Sequence, residues 1–259
     1  MLASQVDCTI ARRLLVNYRV DPEVVAAQLP EPFRPQTISG WAVGGVCFIA
    51  LRHLRPAGLP VGLGFSSENA AHRFAVEWDD DDGRQAGVYV PRRDSGSRLV
   101  SWSGGRVFPG RHGFARFDVK DTGTDLRIQA ASRDGSVRLL VTARAAKAMT
   151  GELFSSVDEA TRFFRTAPLG YSPAQGPGCF DGIRLLSERW DAEPASITEM
   201  RSSLFDDQTV FPPGTCTLDS ALIMRDLSVR WAYQGHLRPR SLIGAARMHH
   251  GGGRLPPGR

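Results

Sequence analysis

The chain has 259 residues, enough for one large domain or two small ones, and its 42% hydrophobic and 23% charged residues are the profile of a globular protein with a substantial core. The net charge of +5 does not point to nucleic acid, because nearly all of the 32 basic residues are arginines spread along the whole chain, without a recognition motif or an aromatic–basic stripe. The longest apolar run, residues 43–51, is too short and too glycine-interrupted to span a bilayer, and no apolar stretch of signal-peptide length opens the chain, so a cytoplasmic protein is expected.

Residues 9–20 alternate as a strand, with Ile10, Leu14, Val16, Tyr18 and Val20 on one parity. Arg12 falls on that parity, whereas Arg13 and Arg19 fall on the other. Asp21-Pro22 starts a short helix to about Leu29, since Asp accepts from free N–H groups and Pro suits the first helical position. Residues 41–53 form a further strand, followed by a Pro/Gly-rich loop over 55–66. Strands at 72–78 and 87–91 flank a hairpin turn at Asp79-Asp80-Asp81-Asp82-Gly83. Adjacent aspartates in a turn splay apart and no calcium-loop spacing is present, so no metal is expected there.

Further strands are expected at 98–108, 113–119, 124–132, 135–149, 183–191, 195–204 and 217–232, with Asp134-Gly135 as a tight turn. One helix interrupts them, opening on the capping-box pattern Ser156-Val157-Asp158-Glu159. Residues 166–182 read as a Pro/Gly-rich connection within one domain, because strands resume beyond it without a compositional break. The pattern fades near residue 234, giving a single domain over 1–233 and a flexible tail over 234–259, in which His249 and His250 belong to the tail. Cys8, Cys47, Cys179 and Cys216 are scattered without metal-ligand spacing, so structural thiols are expected rather than disulfides or zinc. The expected fold class is α+β, mainly antiparallel β, with two or three helices.

Three stretches, in order and at similar spacing over residues 10–120, resemble the acetoacetate decarboxylase-like superfamily. Leu15 to Asp21 running on to Leu29-Pro30-Glu31-Pro32-Phe33 is similar to the family's first strand and the exit from its first helix. Leu63-Gly64-Phe65-Ser66-Ser67-Glu68 is similar to a segment carrying an active-site glutamate, and Gly105-Arg106-Val107-Phe108-Pro109-Gly110-Arg111 to the segment carrying the catalytic lysine pair. Pro91-Arg92-Arg93-Asp94 and Ser132-Arg133-Asp134-Gly135 look closest to the uncharacterised bacterial members. The resemblance implies a cone-shaped β-barrel with a few flanking helices and a small polar pocket.

The decarboxylases form a Schiff base on a lysine whose pKa is lowered by a neighbouring lysine and a dry pocket. Gly110 and Arg111 stand at those two positions here; glycine offers no nucleophile, and arginine stays protonated. Only Lys120 and Lys147 remain as amines, and Lys147 shares parity with Val137, Leu139 and Val141, which would point it inward.

The expected function is therefore an enzyme on a small carbonyl or carboxylate compound, working without a Schiff base and without a cofactor: a lyase, hydratase/dehydratase, aldolase-like or cyclising enzyme. Glu68 and His112 are the candidates for moving protons. Arg12 and Arg111, with Arg98 and His72 as weaker candidates, would hold the substrate, and parity favours Arg12 over Arg13 for a bidentate carboxylate contact. The alternative is a non-catalytic small-anion-binding protein on the same scaffold. Members of the family often self-associate, although no interface signal is readable in this chain.

Overall fold

The computed structural model describes residues 5–103, 110, 112–174, 176 and 178–239. In chain order it contains β1 (Gln5–Val20), α1 (Pro22–Gln28), β2 (Arg34–Pro35), β3 (Thr37–Ile38), β4 (Trp41–Pro56), β5 (Phe65–Asp80), β6 (Gly83–Tyr89), β7 (Arg93–Ser95), α2 (Arg98–Ser103), β8 (His112–Asp121), β9 (Asp125–Ser132), β10 (Arg138–Ala145), α3 (Val157–Thr166), β11 (Leu169–Pro173), β12 (Phe180–Leu186), β13 (Glu193–Ser202) and β14 (Cys216–Leu237). Among the described residues no helix is long and apolar enough to cross a membrane.

All fourteen strands belong to one mostly antiparallel sheet that closes on itself. The pairings β1–β4, β4–β5, β5–β6, β6–β11, β11–β12, β12–β14 and β14–β1 close a ring of seven strands. A second ring leaves β5 through β7, β8, β9, β10 and β13 and returns to β14. The four long strands β1, β4, β5 and β14 belong to both. Closure pairs backbone groups that an open sheet would leave as edges. The fold is thus the cone-shaped barrel with flanking helices that the sequence led us to expect.

Local chemistry explains most element boundaries. Asp21 Oδ1 accepts the Glu23 N–H at 2.8 Å, starting α1 with Pro22 at its first position. Ser156 Oγ accepts the Glu159 N–H at 3.2 Å, starting α3. The Glu159 carboxylate reaches one residue further back than a capping box requires, to the Ser155 N–H at 2.6 Å. The aspartate-rich turn joins β5 to β6 with Asp80 opposite Gly83.

Three expectations need correction. The strand expected from residue 98 starts instead as helix α2, because Ser97 caps it: its hydroxyl accepts the Val100 N–H and its carbonyl accepts the Ser101 N–H. The connection at 166–182 contains a strand, β11, which completes the smaller ring through a parallel pairing with β6. The last strand runs past residue 234 to Leu237, where it pairs with Phe180.

A departure from simple alternation that bears on the site lies in β1. Ile10 pairs with Leu51 of β4 but Arg12 pairs with Ala50, so two steps along β1 match one along β4. This β-bulge at Ala11 inverts the alternation of side chains. Val6, Cys8 and Ile10 share a face with Leu15, whereas Leu14, Val16, Tyr18 and Val20 join the opposite core cluster.

Candidate functional site

A cavity of about 200 Å³ lies inside the seven-strand ring, and every strand of that ring contributes to its wall. Most of the wall is aliphatic, including Val6, Leu15, Leu54, Val88 and Ile183, with Phe164 of α3 and Trp190 closing over it. Its charged and polar lining among the described residues is Arg13, Arg73, Arg93, His112, Asn69, Cys47 and Tyr233, with no carboxylate and no lysine.

Arg73 is 3% exposed in the middle of β5. Its Nη2 donates to Asn17 Oδ1, and its guanidinium carbon lies 4.7 Å from the centroid of the Phe164 ring. Its Nε and Nη1 are buried and have no partner among the described residues. The space it occupies exists because Gly45, directly opposite on β4, has no side chain: a Cβ there would stand 3.1 Å from Arg73 Nη2. Burial pulls the Arg73 pKa down to about 10, so the group remains a cation at neutral pH.

Arg13 lies with its guanidinium carbon 5.1 Å from the centroid of Trp190, and its Nε and Nη1 likewise lack partners. Arg93 donates from Nε to Ser172 Oγ at 3.0 Å, and burial lowers its pKa to about 10. A buried guanidinium with unpaired N–H groups is costly unless an acceptor satisfies it. Three cations on a largely apolar wall, two of them with buried N–H groups that lack an acceptor among the described residues, therefore make an environment for an anion, most favourably a planar carboxylate that a guanidinium can grip bidentately.

The alternation along β7 separates Arg93 from Arg92. Arg92 turns to the other side, where its Nε and Nη2 grip the 3% exposed Asp94 at 2.8–3.1 Å and its Nη1 donates to Asp134 Oδ2 at 2.6 Å. The Pro-Arg-Arg-Asp stretch and the Asp134 turn are thus joined in space: Arg92 ties them together and Arg93 enters the cavity.

Of the residues singled out from the sequence, His112 lines this cavity and Arg12 does not. The bulge at Ala11 puts Arg13 on the face of Ile10 and Leu15, toward this cavity, while Arg12 keeps the parity of Leu14 and Val16 and is itself 5% exposed. Arg12 faces a second, polar depression, where its Nη2 meets Glu68 Oε2 at 2.7 Å and its Nη1 meets Asp121 Oδ2 at 3.2 Å. Arg225 completes the network on Asp121 at 2.9 Å. Burial raises the Glu68 pKa against the opposing pull of Arg12. At Asp121 burial works in the same direction, but hydrogen bonds from Arg225, Gly123 and Arg12 outweigh it and hold the carboxyl at about 2.

His72 is 5% exposed on the opposite core face, with Nε2 3.0 Å from Ser202 Oγ, and burial drops its pKa to about 4. Arg98 is exposed, its guanidinium carbon 5.6 Å from the centroid of Phe114. Arg111 lies outside the described residues. Lys120 and Lys147 are both exposed, Lys147 because β10 ends at Ala145 before the alternation reaches it.

Gly110 packs tightly. Its N–H donates to the buried Asp181 at 2.8 Å, its φ is +83°, and a Cβ would stand 2.7 Å from the Cβ of Ser172. Among the described residues no group of three His, Cys, Asp or Glu side chains is placed to hold a metal ion.

Sequence reasoning passed over Arg73, Arg93, Asn69, Trp190 and Tyr233 among the cavity residues and read Cys47 only as a structural thiol. A signal existed for Arg73, a lone cation in the apolar run Ala70 to Val76, and Arg93 sat unused in a stretch already noted as family-like.

No curated protein matches the chain by sequence. Among solved structures, acetoacetate decarboxylase from Legionella pneumophila superposes with a TM-score of 0.59 at 12% identity, covering 92% of this chain and 89% of that one. The enduracididine biosynthesis enzyme MppR, complexed with pyruvate, gives a TM-score of 0.58 at 10% identity, covering 92% and 91%. An acetoacetate decarboxylase-like enzyme from Sphingomonas wittichii RW1 gives 0.55 at 14%, covering 92% and 94%. The family model DUF2071, described as an uncharacterized conserved protein, matches residues 8–220. The chain has the acetoacetate decarboxylase-like fold and belongs to the DUF2071 family.

Proposed function

We propose that this protein is an enzyme acting on a small carboxylate that also carries a carbonyl or an activated double bond, without a lysine Schiff base. The observation that carries this reading is the pair Arg13 and Arg73, each with two buried guanidinium nitrogens that have no partner among the described residues, on the wall of a cavity whose described lining holds no carboxylate. A substrate carboxylate would satisfy those N–H groups, and the surplus positive charge would stabilise negative charge developing on a neighbouring enolate or alkoxide oxygen. Preorganised cations need no rearrangement as that charge forms. His112 is the proton carrier nearest to hand, since it lines the same cavity. Lyase, hydratase/dehydratase, aldolase-like and cyclising reactions all pass through such an anion. The fold neighbour MppR supports the substrate class, having been seen with pyruvate and with a condensation product of pyruvate and imidazole 4-carboxaldehyde.

The test is a ligand and turnover screen of short 2-oxo and 2-enoic acids against their primary amides. Carboxylates should raise the unfolding midpoint and the amides should not; in Arg73→Met the shift should be lost. Equal binding of acid and amide would refute the anion assignment. A carboxylate that binds and is never converted would favour the non-catalytic alternative.

A further inference from the structure

Cys47 lines the arginine cavity from β4, between Leu15 of β1 and Ala71 of β5. Arg13 and Arg73 stand two residues along from those partners and so project from the same face. Arg93 lines the same cavity from β7. No other cysteine shares this setting. Burial pushes the Cys8 thiol up to about 11 and the Cys216 thiol up to about 12, and Cys179 is 6% exposed; none of the three lines the cavity. The two exposed lysines offer no amine to the cavity, so Cys47 is its strongest nucleophile among the described residues.

We propose that Cys47 is the covalent site of this cavity: its thiol adds to the carbonyl carbon of a short 2-oxo acid whose carboxylate is held by Arg13, Arg73 and Arg93. The inference rests on the carboxylate reading above. In the addition a C–S bond forms, the C=O π bond breaks and the thiol proton ends on the former carbonyl oxygen, giving a hemithioketal; no oxidant, reductant or co-reactant is consumed. The adduct fixes the substrate beside the guanidinium groups.

The experiment compares alkylation of the folded protein by iodoacetate and by iodoacetamide, read cysteine by cysteine by peptide mass spectrometry and normalised to the unfolded chain. In both reactions a C–S bond forms, iodide leaves and the thiol proton goes to solvent, so the reagents differ chiefly in charge. Cys47 should prefer iodoacetate by about tenfold or more, the scale of electrostatic focusing in a charged cleft, and Cys8, Cys179 and Cys216 should show no such preference. Pyruvate labelled with ¹³C at its carbonyl should give with wild type a protein-bound tetrahedral-carbon signal, distinct from the gem-diol signal of free pyruvate in buffer, that disappears in Cys47→Ser. Alkylation of Cys47 without preference for iodoacetate overturns the proposal, as does an adduct signal that persists in Cys47→Ser. If pyruvate raises the unfolding midpoint but forms no adduct, covalent capture falls and the carboxylate reading stands. If no short carboxylate raises the midpoint, both fall.

Discussion

Arg12 and Arg13 are neighbours in sequence with opposite surroundings. Arg12 has two carboxylate partners, whereas Arg13 has an indole ring and buried nitrogens without an acceptor among the described residues. Glu68 belongs to the Arg12 network, so Glu68→Gln should lower stability by roughly 1–3 kcal/mol, the cost of weakening a part-buried charged hydrogen bond, and leave carboxylate binding in the arginine cavity unchanged. Urea unfolding and ligand titration on the same variant check both halves. Gly110→Lys should not install a decarboxylase: the left-handed backbone and the 2.7 Å approach of Ser172 leave no room for a side chain. A folded variant trapped by borohydride with a β-keto acid would contradict that. His72 predicts a pH dependence. Its folded pKa is about 4 and its unfolded value is 6.5, so between these values the unfolded state binds the proton and the native state does not. Stability is therefore unaffected above the unfolded value and falls as pH drops from about 6.5 to 4, by roughly 3 kcal/mol at 1.36 kcal/mol per pKa unit. The difference in urea stability between wild type and His72→Gln across that range isolates the effect; a constant difference would refute it.

Single elements decide where the chemistry points. Hydrophobic patterning located β1, β4, β8, β9 and β14, and the Asp-Pro cap located α1, with most of their ends within a few residues, because these signals are legible locally. The bulge at Ala11 had no such signature. It arises from how β1 registers against β4, and it moved Arg13 rather than Arg12 onto the cavity wall. Helix α3 reaches the site through Phe164 beneath Arg73. Phe164→Leu should weaken carboxylate binding several-fold while leaving the protein folded, since a cation–π contact at a desolvated site contributes on the order of 1–2 kcal/mol. Isothermal titration with pyruvate measures it. Ser156→Ala, which removes the N-cap of the same helix, should cost about 1 kcal/mol of stability.

At the scale of the whole molecule, β14 pairs with β1 from Cys216 to Ala232 and with both β12 and β13, so one strand closes both rings. A chain ended at Gly214 should show no cooperative unfolding transition by circular dichroism, because β1 would lose a neighbour along its full length and the cavity would lose the wall carrying Trp231 and Tyr233. By itself the sequence determined the strand-rich character, the capped helices, the tight turns and the family resemblance, since alternation, capping and turn chemistry act over a few residues. It also limited the chain to two lysines. Only the tertiary structure decided which cations converge: β1, β5 and β7 lie far apart in sequence, and ring closure with one bulge brings Arg13, Arg73 and Arg93 to a common cavity beside Cys47. Burial and electrostatic focusing depend on what surrounds a side chain from every direction, and that is set by long-range pairing rather than by its neighbours in the chain.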